Sequence, residues 1–222
     1  MTRQLSLLVR RALALAAVLA SLFAAGLASD AQALTPERTS VTQTVNIVYW
    51  DLVRFWIPST NPGVRYYNYY SNRVLIDYQT PCGPTGESHG GEGFYCSDGS
   101  TIHLDYNQQV GNMRSYRDGS VAFWLAHEFA HHIEFLLGIN WTTSKPYHEL
   151  LADCFAGMYF RHGIYTSKKL NSNDYLEARN QIWALGAGDT DHGTNSQRLR
   201  AFDFGFQQVN RNNCIQGAGT SY

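Results

Sequence analysis

The sequence predicts an α+β fold in which a small antiparallel sheet precedes a mostly helical C-terminal half. Short apolar segments with strand-like alternation, separated by turn residues, occupy the region 74–106. Longer segments with helical periodicity fill most of the chain after it. The chain has 222 residues, of which 44% are hydrophobic, and this suits one globular domain.

Residues 1–33 have the pattern of a secretory signal peptide. The segment begins with the positive residues Arg3, Arg10 and Arg11, and an apolar run without charges follows over residues 12–28. Ala31-Gln32-Ala33 then forms a cleavage site of the small-x-small type. A retained transmembrane anchor is the alternative, but the run is near the minimum length for a bilayer and ends in a cleavage motif. We therefore expect a secreted, periplasmic or cell-envelope protein. Residues 34–222 would form its single mature domain, with no stable membrane anchor after signal cleavage.

In the first half of the mature chain, the pattern of apolar residues predicts one helix and a short sheet. Apolar residues recur at helical spacing from Val41 to Trp56. The segment Val74-Leu75-Ile76 has the composition of a buried strand. Residues 94–96 and 101–106 alternate in the strand manner around Asp98-Gly99, which predicts a hairpin.

Four helices are predicted in the second half. The longest runs from Val121 to Leu137, with Asp118 or Ser120 as its cap and Gly138 at its end. Its apolar residues lie on nearly every face, so we expect a buried central helix. The other three span Ser144 to about Arg161, Asn173 to Leu185, and Thr194 to about Val209.

Four cysteines, Cys82, Cys96, Cys154 and Cys214, lie in the predicted mature chain. Export permits disulfides, and four cysteines allow three pairings. Cys82 and Cys96 are nearest in sequence and enclose a Gly-rich loop, so we expect them to pair with each other. Cys154 would then pair with Cys214. Zinc binding by the four is the alternative, but the sequence contains no CxxC pair.

The central helix contains His127-Glu128-Phe129-Ala130-His131. Residues four apart share one helix face, so both imidazoles can reach one metal ion. Zinc accepts neutral imidazole nitrogens, and Glu128 falls beside the open position of such a site. A polar surface helix is the alternative, but the flanking turns are apolar, and burying these residues without a partner is costly. We therefore predict His127 and His131 as ligands of one zinc ion per chain.

The next helix offers the third ligand. Glu149 is far enough beyond His131 for a short connection and an antiparallel return. Asp153, one turn later, can accept the second N–H of a ligand histidine and fix its tautomer. A solvated acidic pair is the alternative, which the apolar surroundings disfavour. A longer motif with a third histidine on the same helix is excluded, because Glu134 and Leu137 occupy its Gly and His positions. Two histidines, a glutamate ligand and a glutamate base are the arrangement of thermolysin-like (gluzincin-like) zinc hydrolases.

At these residues the sequence resembles the bacterial neutral zinc metallopeptidase family, whose members show the motifs HExxHH, ELxADCxAG and HGTxxQR. The corresponding segments here begin at His127, Glu149 and His192. The resemblance covers roughly residues 45–214. Ala130 departs from the glycine that the family often has, at a position that is not a ligand. The resemblance implies a metallopeptidase and leaves its substrates open.

Zinc chemistry assigns the remaining roles. Zinc activates a water molecule and polarises the scissile carbonyl, and Glu128 is expected to take the proton of that water and deliver it to the leaving amine. The tetrahedral oxyanion needs a further donor, for which His192 is the candidate. Capping or loop stabilisation is the alternative role of His192, and Tyr95 or Tyr106 are weaker candidates for the donor.

The expected function is an exported zinc-dependent peptidase, with endopeptidase activity on a peptide or protein substrate. A zinc-binding envelope module without catalysis is one alternative, and the presence of Glu128 argues against it. A zinc amidase that acts on a non-protein amide is the other, and site chemistry does not separate it from proteolysis. With 17 Lys and Arg against 18 Asp and Glu, the chain has no basic excess for binding nucleic acid.

Overall fold

Helices dominate the structure, a computed structural model that describes residues 38–56, 74–75, 93–96, 101–139, 144–185 and 191–218. The predicted signal peptide and Cys82, with most of the Gly-rich loop that follows it, lie outside these ranges. Within the described ranges, no helix combines the length and the apolar character needed to cross a membrane.

The described elements confirm the α+β class. In chain order they are α1 (Val41–Trp56), β1 (Val74–Leu75), β2 (Gly93–Cys96), β3 (Thr101–Leu104), α2 (Tyr106–Tyr116), α3 (Asp118–Leu136), α4 (Lys145–His162), a π-helical turn (Gly163–Ser167), α5 (Ser172–Ala184), α6 (Asn195–Gln207) and α7 (Arg211–Ala218). The predicted helices correspond to α1, α3, α4, α5 and α6, with ends within a few residues of those predicted. The sequence pattern does not reveal α2 and α7.

The strands form a mixed sheet in the order β1–β3–β2. β2 and β3 form the predicted antiparallel hairpin, with Tyr95 opposite Ile102. β1 runs parallel to β3, so the prediction of a purely antiparallel sheet is wrong for this strand. Residues 76–100, which include β2, separate β1 from β3 in sequence, so the parallel pair is not joined by a tight turn.

The strand predicted over 101–106 ends at Leu104 because Asp105 begins a helix. The Asp105 side chain accepts a hydrogen bond of 3.0 Å from the backbone N–H of Gln108, as a helix N-cap does. The helix that follows, α2, is largely polar and has few buried residues. It therefore lacks the apolar periodicity by which the other helices are recognised.

α3 lies at the centre of the fold, as predicted. Its residues from Asp118 to Glu134 are all buried, and α1, α2, α4, α5 and the β2–β3 hairpin pack against it. The predicted cap is wrong. The helix begins at Asp118 after Arg117, which has a φ of 67°, and it has no side-chain cap. The Asp118 carboxylate is instead bound by Arg38.

Arg38 joins the N-termini of α3 and α5. Its buried guanidinium lies 2.8 Å from Asp118 and 2.6 Å from Asp174. Glu177, close to both, accepts a hydrogen bond from the backbone N–H of Gly119. These three carboxylates are close enough together to hold a cation. Arg38 already supplies the positive charge that their burial requires.

α4 and α6 pack with almost no space between their backbones. A Cβ on Gly157 of α4 would overlap the carbonyl oxygen of Phe202, and one on Gly205 of α6 would overlap that of Cys154. The absence of side chains at both glycines permits this approach. It brings α6 across the middle of α4 and places Arg198 against that helix.

The described cysteines are all in disulfides. Cys154 of α4 is bonded to Cys214 of α7, which confirms the predicted pair. This bridge closes a loop with a sequence separation of 60, which is worth about 4 kcal/mol in the chain-entropy model. Cys96 is also disulfide-bonded, and its predicted partner, Cys82, lies outside the described residues.

The close packing of α4 on α6 predicts that Gly157→Ala destabilises the fold. The added methyl group meets backbone atoms, which cannot move without separating the two helices. We expect the free energy of unfolding, measured by urea denaturation, to fall by about 2–3 kcal/mol.

Gly111→Ala is the matched control, because a Cβ at this position of α2 would meet nothing within 4 Å. It should stabilise the protein by about 0.5–1 kcal/mol through helix propensity alone. Equal effects of the two substitutions would contradict the packing argument.

Candidate active site

α3 and α4 run antiparallel and carry the predicted zinc ligands where they meet. Nε2 of His127 lies 3.1 Å from Oε2 of Glu149, and Nε2 of His131 lies 3.7 Å from Oε1 of the same carboxylate. One donor atom from each of the three residues lies within 4.8 Å of the others. The structure therefore brings together the three side chains that the sequence predicts as ligands of one metal ion.

Asp153 holds His127 from behind, at the place predicted for it. Its Oδ1 lies 2.9 Å from Nδ1 of His127, so the ring donates there and turns Nε2 toward Glu149. Asp153 also accepts hydrogen bonds of 2.8 and 2.9 Å from Arg198. Burial would raise the pKa of Asp153, but the charge and hydrogen bonds of Arg198 lower it. The carboxylate therefore stays ionised behind the imidazole.

His131 has a carboxylate behind it that sequence reasoning missed. Nδ1 of His131 lies 3.3 Å from Oε1 of Glu134. Oε2 of Glu134 lies 2.6 Å from Nδ1 of His148, the residue before Glu149. The i,i+3 spacing of His131 and Glu134 on one helix is a local signal that could have found this contact. The contact with His148 depends on the register of α3 against α4, which local spacing does not encode.

The site favours positive charge at both imidazoles. Burial opposes protonation of His127, but hydrogen bonds to Asp153 and Glu149 and their negative charge outweigh it and raise its pKa to about 10. Burial likewise opposes protonation of His131, and Glu134 and Glu149 raise its pKa. Burial would raise the pKa of Glu149, but the neighbouring histidines lower it far below its usual range. A metal cation bound between these groups would be attracted by the same negative charges that raise the pKa values of the two histidines.

The donor set fits zinc. Two imidazoles and one carboxylate, with the Nδ1 atom of each ring facing a further carboxylate, are the ligands and supporting groups of catalytic zinc sites. Three protein ligands leave a coordination position for water or substrate. Cysteine ligation, the alternative, is wrong for Cys96, Cys154 and Cys214, which are disulfide-bonded.

Glu128 is buried beside these ligands, against the β2–β3 hairpin. A Cβ on Gly93, the first residue of β2, would lie 3.3 Å from Cγ of Glu128, so the missing side chain makes room for it. Burial raises the pKa of Glu128, and the charges of His127 and His131 offset part of the increase. A carboxylate with a raised pKa is a better proton acceptor than an exposed one, as general base catalysis requires.

His192 lies at the edge of the site. Its side chain is 48% exposed, and its Nε2 lies 3.9 Å from Oε1 of Glu149. Gly193 follows it with a φ of 81°. Thr194 caps α6 and forms a capping box with Gln197. The capping role considered for His192 is therefore filled by Thr194.

The two tyrosines considered as donors take other positions. The hydroxyl oxygen of Tyr95 lies 2.9 Å from Nδ1 of His132. Burial lowers the pKa of His132 to about 4, so this ring is neutral near pH 7 and can pair with the hydroxyl. Tyr106 is the first residue of α2 and is exposed.

Comparison with known proteins places the chain in a family. A family model described as "Putative neutral zinc metallopeptidase" matches residues 28–216. The chain belongs to this family.

Relatives of the chain occur in bacteria. It is 30% identical over 179 residues to "Uncharacterized protein YpfJ" of Escherichia coli K12, which covers 65% of this chain and 61% of that protein. It is 26% identical over 170 residues to "Uncharacterized protein Mb2605" of Mycobacterium bovis, which covers 61% of this chain and 57% of that protein. The chain thus spans about three fifths of the length of these relatives. No solved structure matches it.

In this member of the neutral zinc metallopeptidase family, the segment from His192 to Arg198 contributes both of its ends to the site. The first end approaches Glu149, and the last binds Asp153. Spacing along the sequence does not reveal this contact of Arg198, which forms a buried ion pair with Asp153.

Arg198→Met tests this ion pair, because it removes the permanent charge beside the buried Asp153 carboxylate and leaves it with His127 alone. We expect the metal-free protein to lose about 3–5 kcal/mol of unfolding free energy in urea denaturation. Adding Asp153→Asn should recover part of that loss, since the amide needs no countercharge.

Arg179→Met is the control, since Arg179 pairs with Asp203 at a half-exposed position. Its expected effect is below about 1 kcal/mol. A loss that is no larger for Arg198→Met than for Arg179→Met would show that the buried pair does not hold the site together.

Proposed function

We propose that this protein is an exported zinc-dependent endopeptidase. The proposal rests on the geometry of the site. Donor atoms of His127, His131 and Glu149 lie within 4.8 Å of one another. Glu128 is buried beside them. Membership of the neutral zinc metallopeptidase family supports it. The substrate would be a peptide or a protein.

The metal would be held by Nε2 of His127, Nε2 of His131 and the carboxylate of Glu149. Zinc bound there supplies a Lewis acid that polarises the scissile carbonyl and lowers the pKa of a water molecule in its open position. Asp153, itself held by Arg198, keeps His127 in the tautomer that presents Nε2.

Glu128 would act as general base and then as general acid. Its carboxylate accepts the proton of the attacking water and passes it to the leaving amine nitrogen. Burying the Glu128 carboxylate costs free energy, and a purely structural metal site does not require such a residue. This favours an enzyme over a zinc-binding module without catalysis.

His192 would stabilise the oxyanion of the tetrahedral intermediate. Its Nε2 lies close to a proposed ligand, and its half-exposed ring is accessible to a substrate that enters from solvent. An N–H group that donates a hydrogen bond to the developing negative charge stabilises the transition state more than the bound substrate. It therefore lowers the activation barrier of the chemical step.

Export is the second part of the proposal. It is supported by the sequence pattern of residues 1–33 and by the disulfide between Cys154 and Cys214, which suits an oxidising compartment. Cleavage profiling on a peptide library would define the substrate. Cleavage of non-protein amides in place of peptides would identify a zinc amidase instead.

Glu128→Gln should abolish peptidase activity and leave zinc binding intact, because the amide cannot accept the proton while the proposed ligands are unchanged. We expect kcat/KM on labelled casein to fall by a factor of at least about 100. Zinc content should stay near one ion per chain by elemental analysis.

Glu177→Gln is the matched control for this substitution, because the same chemical change on α5 preserves the acceptor for Gly119. It should keep the activity of the original protein. Full activity in Glu128→Gln would exclude Glu128 as the base.

His192→Ala should lower kcat about 100-fold, with little change in KM and none in zinc content, because an oxyanion donor acts mainly in the transition state. His162→Ala, at the C-terminal end of α4, controls for the loss of a partly exposed histidine. An unchanged kcat in His192→Ala would move the donor role to another group.

A further inference from the structure

The two proposed ligand histidines are supported by different groups. His127 is backed by Asp153 and the permanent charge of Arg198. Behind His131 stands Glu134, which is 0% exposed and has a second imidazole, His148, as its close partner.

Glu134 spans the gap between α3 and α4. One carboxylate oxygen lies 3.3 Å from Nδ1 of His131 on its own helix. The other lies 2.6 Å from Nδ1 of His148 on the facing helix, and His148 is itself buried. The carboxylate is therefore hydrogen-bonded to the facing helix and lies within ion-pair distance of His131 on its own helix.

We infer that Glu134 is a positioning residue for His131 in the proposed zinc site, with His148 holding Glu134 in place. The inference rests on the proposed function only in taking zinc as the ion that His131 binds. Oε1 of Glu134 lies 3.3 Å from Nδ1 of His131, and its negative charge favours a proton on that nitrogen. Nε2 is then unprotonated, and Nε2 is the atom that faces Glu149.

The location of Glu134 argues against a purely structural role. A buried carboxylate is tolerated where donors satisfy it, and Asp51 shows how this chain achieves that elsewhere. Asp51 is buried and accepts hydrogen bonds from the hydroxyl groups of Tyr159 and Ser167. Both contacts described for Glu134 are instead to imidazoles, one from a proposed ligand and one next to a proposed ligand.

Glu134→Gln tests the inference, because it keeps the size of the side chain and removes its charge. Zinc affinity, measured by competition with a chromogenic chelator, should fall about 10- to 100-fold. The visible spectrum of the cobalt-substituted variant should differ from that of the original protein, since the orientation and basicity of one imidazole ligand change. Neither measurement depends on peptidase activity.

Asp51→Asn is the matched control, because it also neutralises a buried acid whose oxygen can still accept. It should change zinc affinity less than about threefold. Equal zinc affinity and equal cobalt spectra in Glu134→Gln and Asp51→Asn would overturn the inference. Failure of the unsubstituted protein to bind zinc would instead overturn the proposed function, and the inference with it.

His148 provides a second test if Glu134→Gln does not fold. His148→Asn places an amide N–H where Nδ1–H stands and should keep zinc affinity within about threefold of the original. His148→Leu removes the donor and should weaken zinc binding about tenfold. Equal affinities in these two variants would contradict the role of His148.

Discussion

The contact between α3 and α4 is a ladder of carboxylate–imidazole pairs, and the position of each proposed zinc ligand depends on it. Glu134 meets His148 at one end, Glu149 meets both proposed ligand histidines in the middle, and Asp153 meets His127 at the other end. Buried charges of this kind require strict pairing, because an uncompensated carboxylate costs several kcal/mol. The antiparallel register of the two helices is therefore also the geometry of the site.

The rest of the fold supports this ladder from outside. Gly157 and Gly205 let α6 approach α4 closely enough for Arg198 to reach Asp153. The disulfide of Cys154, the residue after Asp153, fastens α7 to the same helix. At the other end of α3, Arg38 neutralises the acidic groups where α3 meets α5. Packing and electrostatics thus fix both helices that carry the proposed ligands.

Local sequence patterns predict much of this structure. Helical periodicity gives α1 its observed bounds, and Pro146 and Gly163 mark the ends of α4 within one or two residues. The i,i+4 spacing of His127 and His131 predicts their shared face. Local patterns do not predict the direction of β1, the polar helix α2, or the contacts of Glu134, His148 and Arg198. Those depend on how elements distant in sequence pack together, which spacing along the chain does not encode.

X-ray absorption at the zinc edge of the metal-loaded protein tests whether His127, His131 and Glu149 bind the metal. We expect two imidazole nitrogens, with the rest of the shell made of oxygens, at about 2.0–2.2 Å. Glu149→Gln should lose this shell. A sulfur ligand at about 2.3 Å, or a shell with no imidazole contribution, would place the metal elsewhere in the protein and exclude these three residues as its site.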